Sequence, residues 1–249
     1  MIELNHINVI SLDLFDTLVR VRGFEPRIAF EKSYFILKKG GISISFDAFY
    51  NSYRAEVRKY LVQREVTGND YTNDFLLKRM LEQQGYSIDL ELSREVISAY
   101  FNALVPYTVP YQGMEQTLKS LKEENFILIL TSNHSWPAHG FEVIKRVGIK
   151  NLLDRVVFSG EIGKAKPHTE IFEKAFEGYS KDEILHVGDN PIADVDGAQN
   201  YGTYALWVKS RDHFRERHKI EPTRKDRLVG EIRDITELPD FLGVNPIEF

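Results

Sequence analysis

The chain has 249 residues, 43% of them hydrophobic and 28% charged, with a formal net charge of −5. That is the composition of an ordinary globular protein, with ample core for one large domain or two smaller ones. The acidic balance gives no footprint for bulk nucleic-acid binding, and no apolar run approaches the roughly 18 residues of a membrane span. The absence of cysteine excludes disulfides, thiol catalysis and cysteine-ligated metals. The start MIELNHINVI has neither the basic residues nor the long apolar stretch of a secretory signal, so a cytoplasmic protein is expected, with no nucleic-acid or membrane partner.

In chain order, the first predicted element is a strand over residues 7–13, which ends at Asp13 and runs into Phe15 and the turn pair Asp16-Thr17. From residue 20 to 109 the pattern becomes helical. Segments near 26–39 and 90–104 have helical period. Between them, Phe49, Tyr53, Val57 and Tyr60 mark one amphipathic helix, and Leu76, Leu77, Met80 and Leu81 another. KKGGIS and QQGYS break these helices, and VPYTVPYQG (105–113) closes the block. The Tyr and Phe residues of this block are read as core.

Short apolar runs then alternate with helical stripes. The strands are FILILTSN (126–133), RVVFSG (155–160), ILHVGD (184–189) and TYALWV (203–208). The stripes are Met114, Leu118 and Leu121; Phe141, Ile144 and Val147; and Ile171, Phe172, Ala175 and Phe176. Segment 209–227 is mixed in charge and reads as a solvated loop, with an anion-binding patch as the competing reading. LVGEIRDITELPDFL supplies a last strand and a closing helix. The expected fold is α/β: a doubly wound parallel-sheet core from residues 1–19 and 110–249, with an all-helical domain, 20–109, inserted after the first strand.

Ligands of an open parallel sheet bind beyond the carboxyl ends of its strands, and Asp13, Ser132 and Asp189 fall at three such ends. Singly, each reads as a turn former or helix cap; their recurrence at separate strand ends points to one crevice.

On these residues the sequence resembles the haloacid dehalogenase (HAD) superfamily, whose members are mostly phosphatases. SLDLFDTLV resembles the first family motif, LTSN the second, GKAKPHTEIF the lysine motif and HVGDNPIADVDGAQNYG the acidic fourth motif. All four occur in the family order, and the helical insertion resembles the C1-type cap of subfamily I.

The resemblance implies a phosphatase using Mg²⁺ on a small phosphorylated substrate. Asp13 would be the nucleophile and would form an aspartyl-phosphate. Asp13, the Phe15 carbonyl and Asp189 would hold Mg²⁺, with Asp194 orienting water on the ion. Lys166 would neutralise a phosphate oxygen, Ser132 would donate its hydroxyl, and backbone amides around Asn133 would assist. Thr131 competes with Ser132 for its role; Asn133 following Ser132 favours the latter.

One position departs from the family. The residue two after the nucleophile is usually an aspartate that protonates the leaving group, and here it is Phe15, which transfers no proton. Three readings compete: Asp16 substitutes, although a loop-forming role suits it better; the substrate is an acyl or aryl phosphate; or the chain is a 2-haloacid dehalogenase, whose relatives carry an aromatic residue there. Asp189 and Asp194 argue against the dehalogenase, which uses no metal. A phosphate-binding or regulatory protein with little catalysis is the remaining alternative. His134 and His168 are candidate proton donors, and His186 reads as a core histidine. Arg20, Arg22 and Arg27 are candidates either for anion binding or for a solvated hinge.

Overall fold

The computed structural model describes residues 4–209 and 220–244. Six strands form one parallel sheet in the order β5-β4-β1-β6-β7-β8: β1 Val9–Leu12, β4 Ile127–Ser132, β5 Arg155–Phe158, β6 Ile184–Gly188, β7 Tyr204–Val208 and β8 Leu228–Ile232. β1 is central. Its residues Val9 to Leu12 lie in register with Ile127 to Leu130 on one side and with Ile184 to Val187 on the other. The strand runs read from the sequence each form a strand, shortened by one to three residues.

Side chains alternate across the sheet. Ile10, Leu12, Leu128, Leu130, Leu185 and Val187 pack on one face with Met114, Leu118 and Leu121 of α5 (Met114–Glu123). Val9, Ile129, Ile184 and Trp207 pack on the other with Ile171, Phe172 and Ala175 of α8 (Thr169–Ala175) and with Phe176 just beyond it. The expected stripe of α6 (Pro137–Arg146) is corrected at Phe141, while Ile144 is buried as expected and Val147 packs against the same core. His139, Gly140, Val143 and Ile144 are its buried residues, while Phe141 is 36% exposed. The helix starts at Pro137, and that phase turns His139 inward, where its ring lies 4.9 Å from Phe101.

Helices α1 (Pro26–Lys39), α2 (Phe46–Thr67), α3 (Asn73–Gln83) and α4 (Leu90–Leu104) form a helical cap on their own apolar cluster, which includes Phe30, Phe49, Tyr53, Tyr60, Leu76, Leu77 and Met80. Val57 is only partly buried. Glu56 takes the inward place beside it and accepts from Arg79 Nε at 2.5 Å. The chain leaves and re-enters the sheet layer through an antiparallel ribbon, β2 (Val19–Val21) against β3 (Thr108–Pro110).

Much of the mixed-charge segment 209–227 lies outside the described residues. In the part that is described, Lys209 pairs with Glu221 and Arg224 with Asp226. A short helix, α10 (Leu238–Leu242), follows β8. Among the described residues, no helix is long and apolar enough to cross a membrane.

Candidate active site

Parallel strands end at the same edge, so Asp13 after β1, Ser132 at the end of β4 and Asp189 after β6 meet above the sheet. Together with Phe15, Asn133, Lys166 and Asp194 they line one cavity of about 290 Å³.

Asp13 is fixed by its backbone, whose amide donates to the Val187 carbonyl at 3.0 Å. Its Oδ1 accepts from Lys166 Nζ at 2.7 Å. Lys166 also donates to Asp194 Oδ1 at 2.5 Å and to the Thr131 carbonyl at 2.7 Å, which uses all three of its ammonium hydrogens. Burial pushes the Asp13 carboxyl up to about 6; attraction to Lys166 pulls the other way, and the Asp194 charge adds to the rise. Burial also opposes ionisation of Asp194, yet Lys166 and His186 outweigh it and hold that carboxyl below the usual range.

The fourth motif bends tightly over the end of β6. Asp194 lies in a π-helical turn, Pro191–Asp196, and its Oδ2 accepts from the Asn190 amide at 2.8 Å. A Cβ on Gly188 would come within 2.3 Å of Asp194 Cγ, so only glycine permits this approach. Both Asp194 oxygens therefore serve protein donors, an arrangement suited to orienting Lys166 and water.

Ser132 lies on the Asp13 side of β4, and its hydroxyl favours the ionised Asp13 carboxyl. Thr131 points to the opposite face. Its Oγ1 lies 3.0 Å from Ser11 Oγ, and that oxygen lies 2.9 Å from Nδ1 of His186. His186 Nε2 in turn meets Asp194 Oδ1 at 3.1 Å. A buried polar chain thus runs beneath the sheet edge from Thr131 to the carboxylate that holds Lys166. Asn133 clasps the Lys166 backbone from both sides: its Nδ2 donates to the Lys166 carbonyl at 2.9 Å, and its Oδ1 accepts from the Lys166 amide at 2.8 Å. Its side chain positions the lysine, which leaves only the local backbone to face a ligand.

Phe15 turns its ring toward two histidines, 5.2 Å from His134 and 6.0 Å from His139 by ring centroid. His134 Nε2 lies 2.9 Å from His139 Nδ1. Burial holds His134 well below its ordinary range and lowers His139 to about 4, so both are neutral near pH 7. Asp16 does not line the cavity, and its φ of 67° marks it as a turn former. His168 lies outside the cavity as well, beside Gly68 at the start of α8. Arg20 stacks over Tyr111 and lines a different cavity with Arg22, and Arg27 lies over Phe46 on the cap.

Among the polar lining residues, Arg64 and His139 carried no sequence signal for the site. Arg64 reads as a basic residue complementing the end of α2, and His139 as one more polar residue in a helix.

The three buried aspartates offer oxygens within 4.8 Å of one another. Three hard carboxylate donors, with Lys166 bonded to only two of them, fit a divalent cation such as Mg²⁺.

The chain is 29% identical over 250 residues to a glyceraldehyde 3-phosphate phosphatase of Pyrococcus furiosus, covering 97% of this chain and 94% of that one. In fold it resembles the 2-haloacid dehalogenase of Pseudomonas syringae, with a TM-score of 0.63, 19% identity, and 95% and 98% of the two chains covered. It also resembles the magnesium-bound HAD hydrolase YfnB of Bacillus subtilis, with a TM-score of 0.56, 19% identity, and 96% and 99% covered. The model of the haloacid dehalogenase-like hydrolases matches residues 7–202, a span that takes in the strand ends, the lysine and the helices inserted between them. By that match the chain belongs to the haloacid dehalogenase-like hydrolases.

Proposed function

We propose that the protein is a Mg²⁺-dependent phosphatase of a small phosphorylated metabolite, working through an aspartyl-phosphate on Asp13. The observation that carries this reading is the buried cluster of Asp13, Asp189 and Asp194 around Lys166 at the mouth of the sheet. The naming of a relative as a phosphatase supports it, as does the magnesium in a structural neighbour.

Asp13 attacks phosphorus in line with the ester oxygen. The Asp13 Oδ–P bond forms, the P–O bond to the alcohol breaks, and the alkoxide takes a proton from solvent water. Water then attacks the same phosphorus, which releases inorganic phosphate and restores the carboxylate. Lys166 and the Ser132 hydroxyl face the phosphoryl oxygens, where preorganised charge favours the transition state. Asp13, Asp189 and the Phe15 carbonyl would hold Mg²⁺, which supplies the positive charge needed for a carboxylate to approach a dianionic ester. Asp194 keeps Lys166 aligned. Phe15 donates no proton, so substrates with good leaving groups are favoured. The helical segment 20–109 acts as a lid that excludes water.

The Phe15 ring in the cavity also favours a second reading, a 2-haloacid dehalogenase, because halide leaves without a proton. The test is a panel of alkyl, aryl and acyl phosphates and 2-haloacids, each with Mg²⁺ and with chelator. Phosphate release that needs Mg²⁺ and vanishes in Asp13→Asn is expected. Halide release that survives chelation would replace the phosphatase with the dehalogenase.

A further inference from the structure

We propose that the cap is fastened to the sheet layer at a second place, apart from the β2–β3 ribbon, and stays closed while ligand enters and leaves. The fastening is the loop after α2, residues 68–73, and the cavity of about 290 Å³ then keeps one size throughout. The inference concerns access to the site and stands apart from the reaction proposed for it.

A cap joined only by a two-stranded ribbon is free to swing, because a few residues at the ribbon ends absorb the rotation. Here the loop after α2 lies as a short antiparallel bridge against the segment that leads into Lys166. The Ala165 amide donates to the Gly68 carbonyl at 2.8 Å, the Asp70 amide donates to the Gly163 carbonyl at 2.9 Å, and Asn69 pairs with Lys164 between them. Gly68 has a φ of 66°, and a Cβ there would come within 2.2 Å of the His168 ring, so only glycine allows the two segments to lie this close.

Asp70 locks the bridge from within. It is 5% exposed, and its Oδ1 accepts from the Tyr60 hydroxyl of α2 and from Ser135 Oγ at 2.7 Å. The Tyr60 hydroxyl lies 3.0 Å from the same Ser135 Oγ, and the Asn73 amide donates to the Ser135 carbonyl at 3.3 Å. One buried carboxyl thus holds a tyrosine of the cap and a serine that follows β4. Lifting the cap would leave that carboxyl buried without its donors or carry it into water, and either way both hydrogen bonds are lost.

An apolar seam reinforces the lock. Trp136 belongs to the loop between β4 and α6, yet it is 8% exposed and packs in the apolar cluster of the cap. Its ring stacks on Phe101 of α4 at 6.3 Å, and Phe101 also meets His139 of α6 at 4.9 Å. Turning the cap on its ribbon would therefore break the backbone bridge and the carboxyl lock and wet these rings in one event.

Two measurements on the full chain test this. The first is hydrogen exchange resolved by residue. The Asp70 and Ala165 amides should be protected to within about tenfold of the Asp13 amide, which is bonded to Val187 inside the sheet. Weaker protection than that would show that the bridge opens without global unfolding and would overturn the proposal. The second uses the absence of cysteine. Asn69 and Lys164 oppose each other between the two cross-strand hydrogen bonds, where Cα atoms lie about 4.5 Å apart, within the span of a disulfide. Asn69→Cys with Lys164→Cys should close a disulfide under mild oxidation, and the oxidised and reduced forms should turn over an aryl phosphate at rates within about twofold. Thiols that do not join in the folded variant, or a larger loss on oxidation that reductant restores, would overturn the closed cap. If the variant does not fold, or if neither form releases phosphate, the exchange data decide the fastening by themselves; absence of turnover in the wild type as well removes the phosphatase and leaves the fastening standing.

Discussion

Lys166 Nζ bonds the Asp13 carboxylate itself, at 2.7 Å from Oδ1, while holding Asp194 at 2.5 Å. A residue read from sequence as a phosphate clamp therefore also sets the charge balance of the resting site. Three aspartates are buried here around a lysine that is itself 4% exposed. The cost of burying that much negative charge is offset by the lysine and, on our reading, by the cation.

Lys166→Met should thus do two things. Removing a positioned charge from the transition state lowers kcat by about 10²–10³-fold. Removing one partner of a buried ionic cluster destabilises the metal-free protein by about 3 kcal/mol. Added Mg²⁺ should recover much of the stability, and Lys166→Met combined with Asp13→Asn should be less destabilised than the single lysine variant. Melting curves with and without Mg²⁺ check this. A double variant at the sum of the two single costs would mean that the residues do not act as one unit.

Phe15→Asp restores an acid at a position whose side chain already lines the cavity beside His134. Hydrolysis of alkyl phosphates, whose leaving groups need a proton, should rise about 10-fold or more relative to hydrolysis of aryl phosphates. Stability should fall by about 2 kcal/mol, because the ring that packs against the two histidines is lost. A leaving-group dependence identical to that of the wild type would show that the proton enters by another route.

The pair His134–His139 gives a pH signature. In the fold His139 is depressed to about 4 by burial, against 6.5 in the unfolded chain. Below pH 6.5 the unfolded chain therefore binds a proton that the folded chain does not. The stabilising contribution is full above 6.5 and is lost as pH falls through about 4, which amounts to about 2 kcal/mol between pH 7 and pH 5. His139→Phe keeps a ring against Phe101 and removes the titration, so its stability should fall less steeply over that interval. Denaturant titrations at both pH values measure the difference; equal slopes would mean that His139 is protonated in the native state.

The strand runs and the ends at which they stop are local properties of the chain. Buried parallel strands must be apolar throughout, and polar residues must appear where the backbone leaves the sheet, so 126–133, 184–189 and the segment around Asp13 could be read directly. The helical limits 26–39 and 90–104 follow likewise from a period of 3.6 and from glycine breaks, and they match α1 and α4. The choice between Thr131 and Ser132 was not local. Both are hydroxyls at one strand end, and only the phase of β4 in the sheet sends Ser132 to Asp13 and Thr131 to Ser11. The link from His186 to Asp194, the clasp of Asn133 on Lys166 and the arrival of Arg64 and His139 at the cavity depend on contacts between distant segments. Arg64 is brought there by a cap that is tied to the sheet through β2–β3 and through Gly68 against Ala165, about a hundred residues apart in sequence. Periodicity records which face of an element is buried. It does not record which other element covers that face, and here that second fact decides what surrounds the substrate.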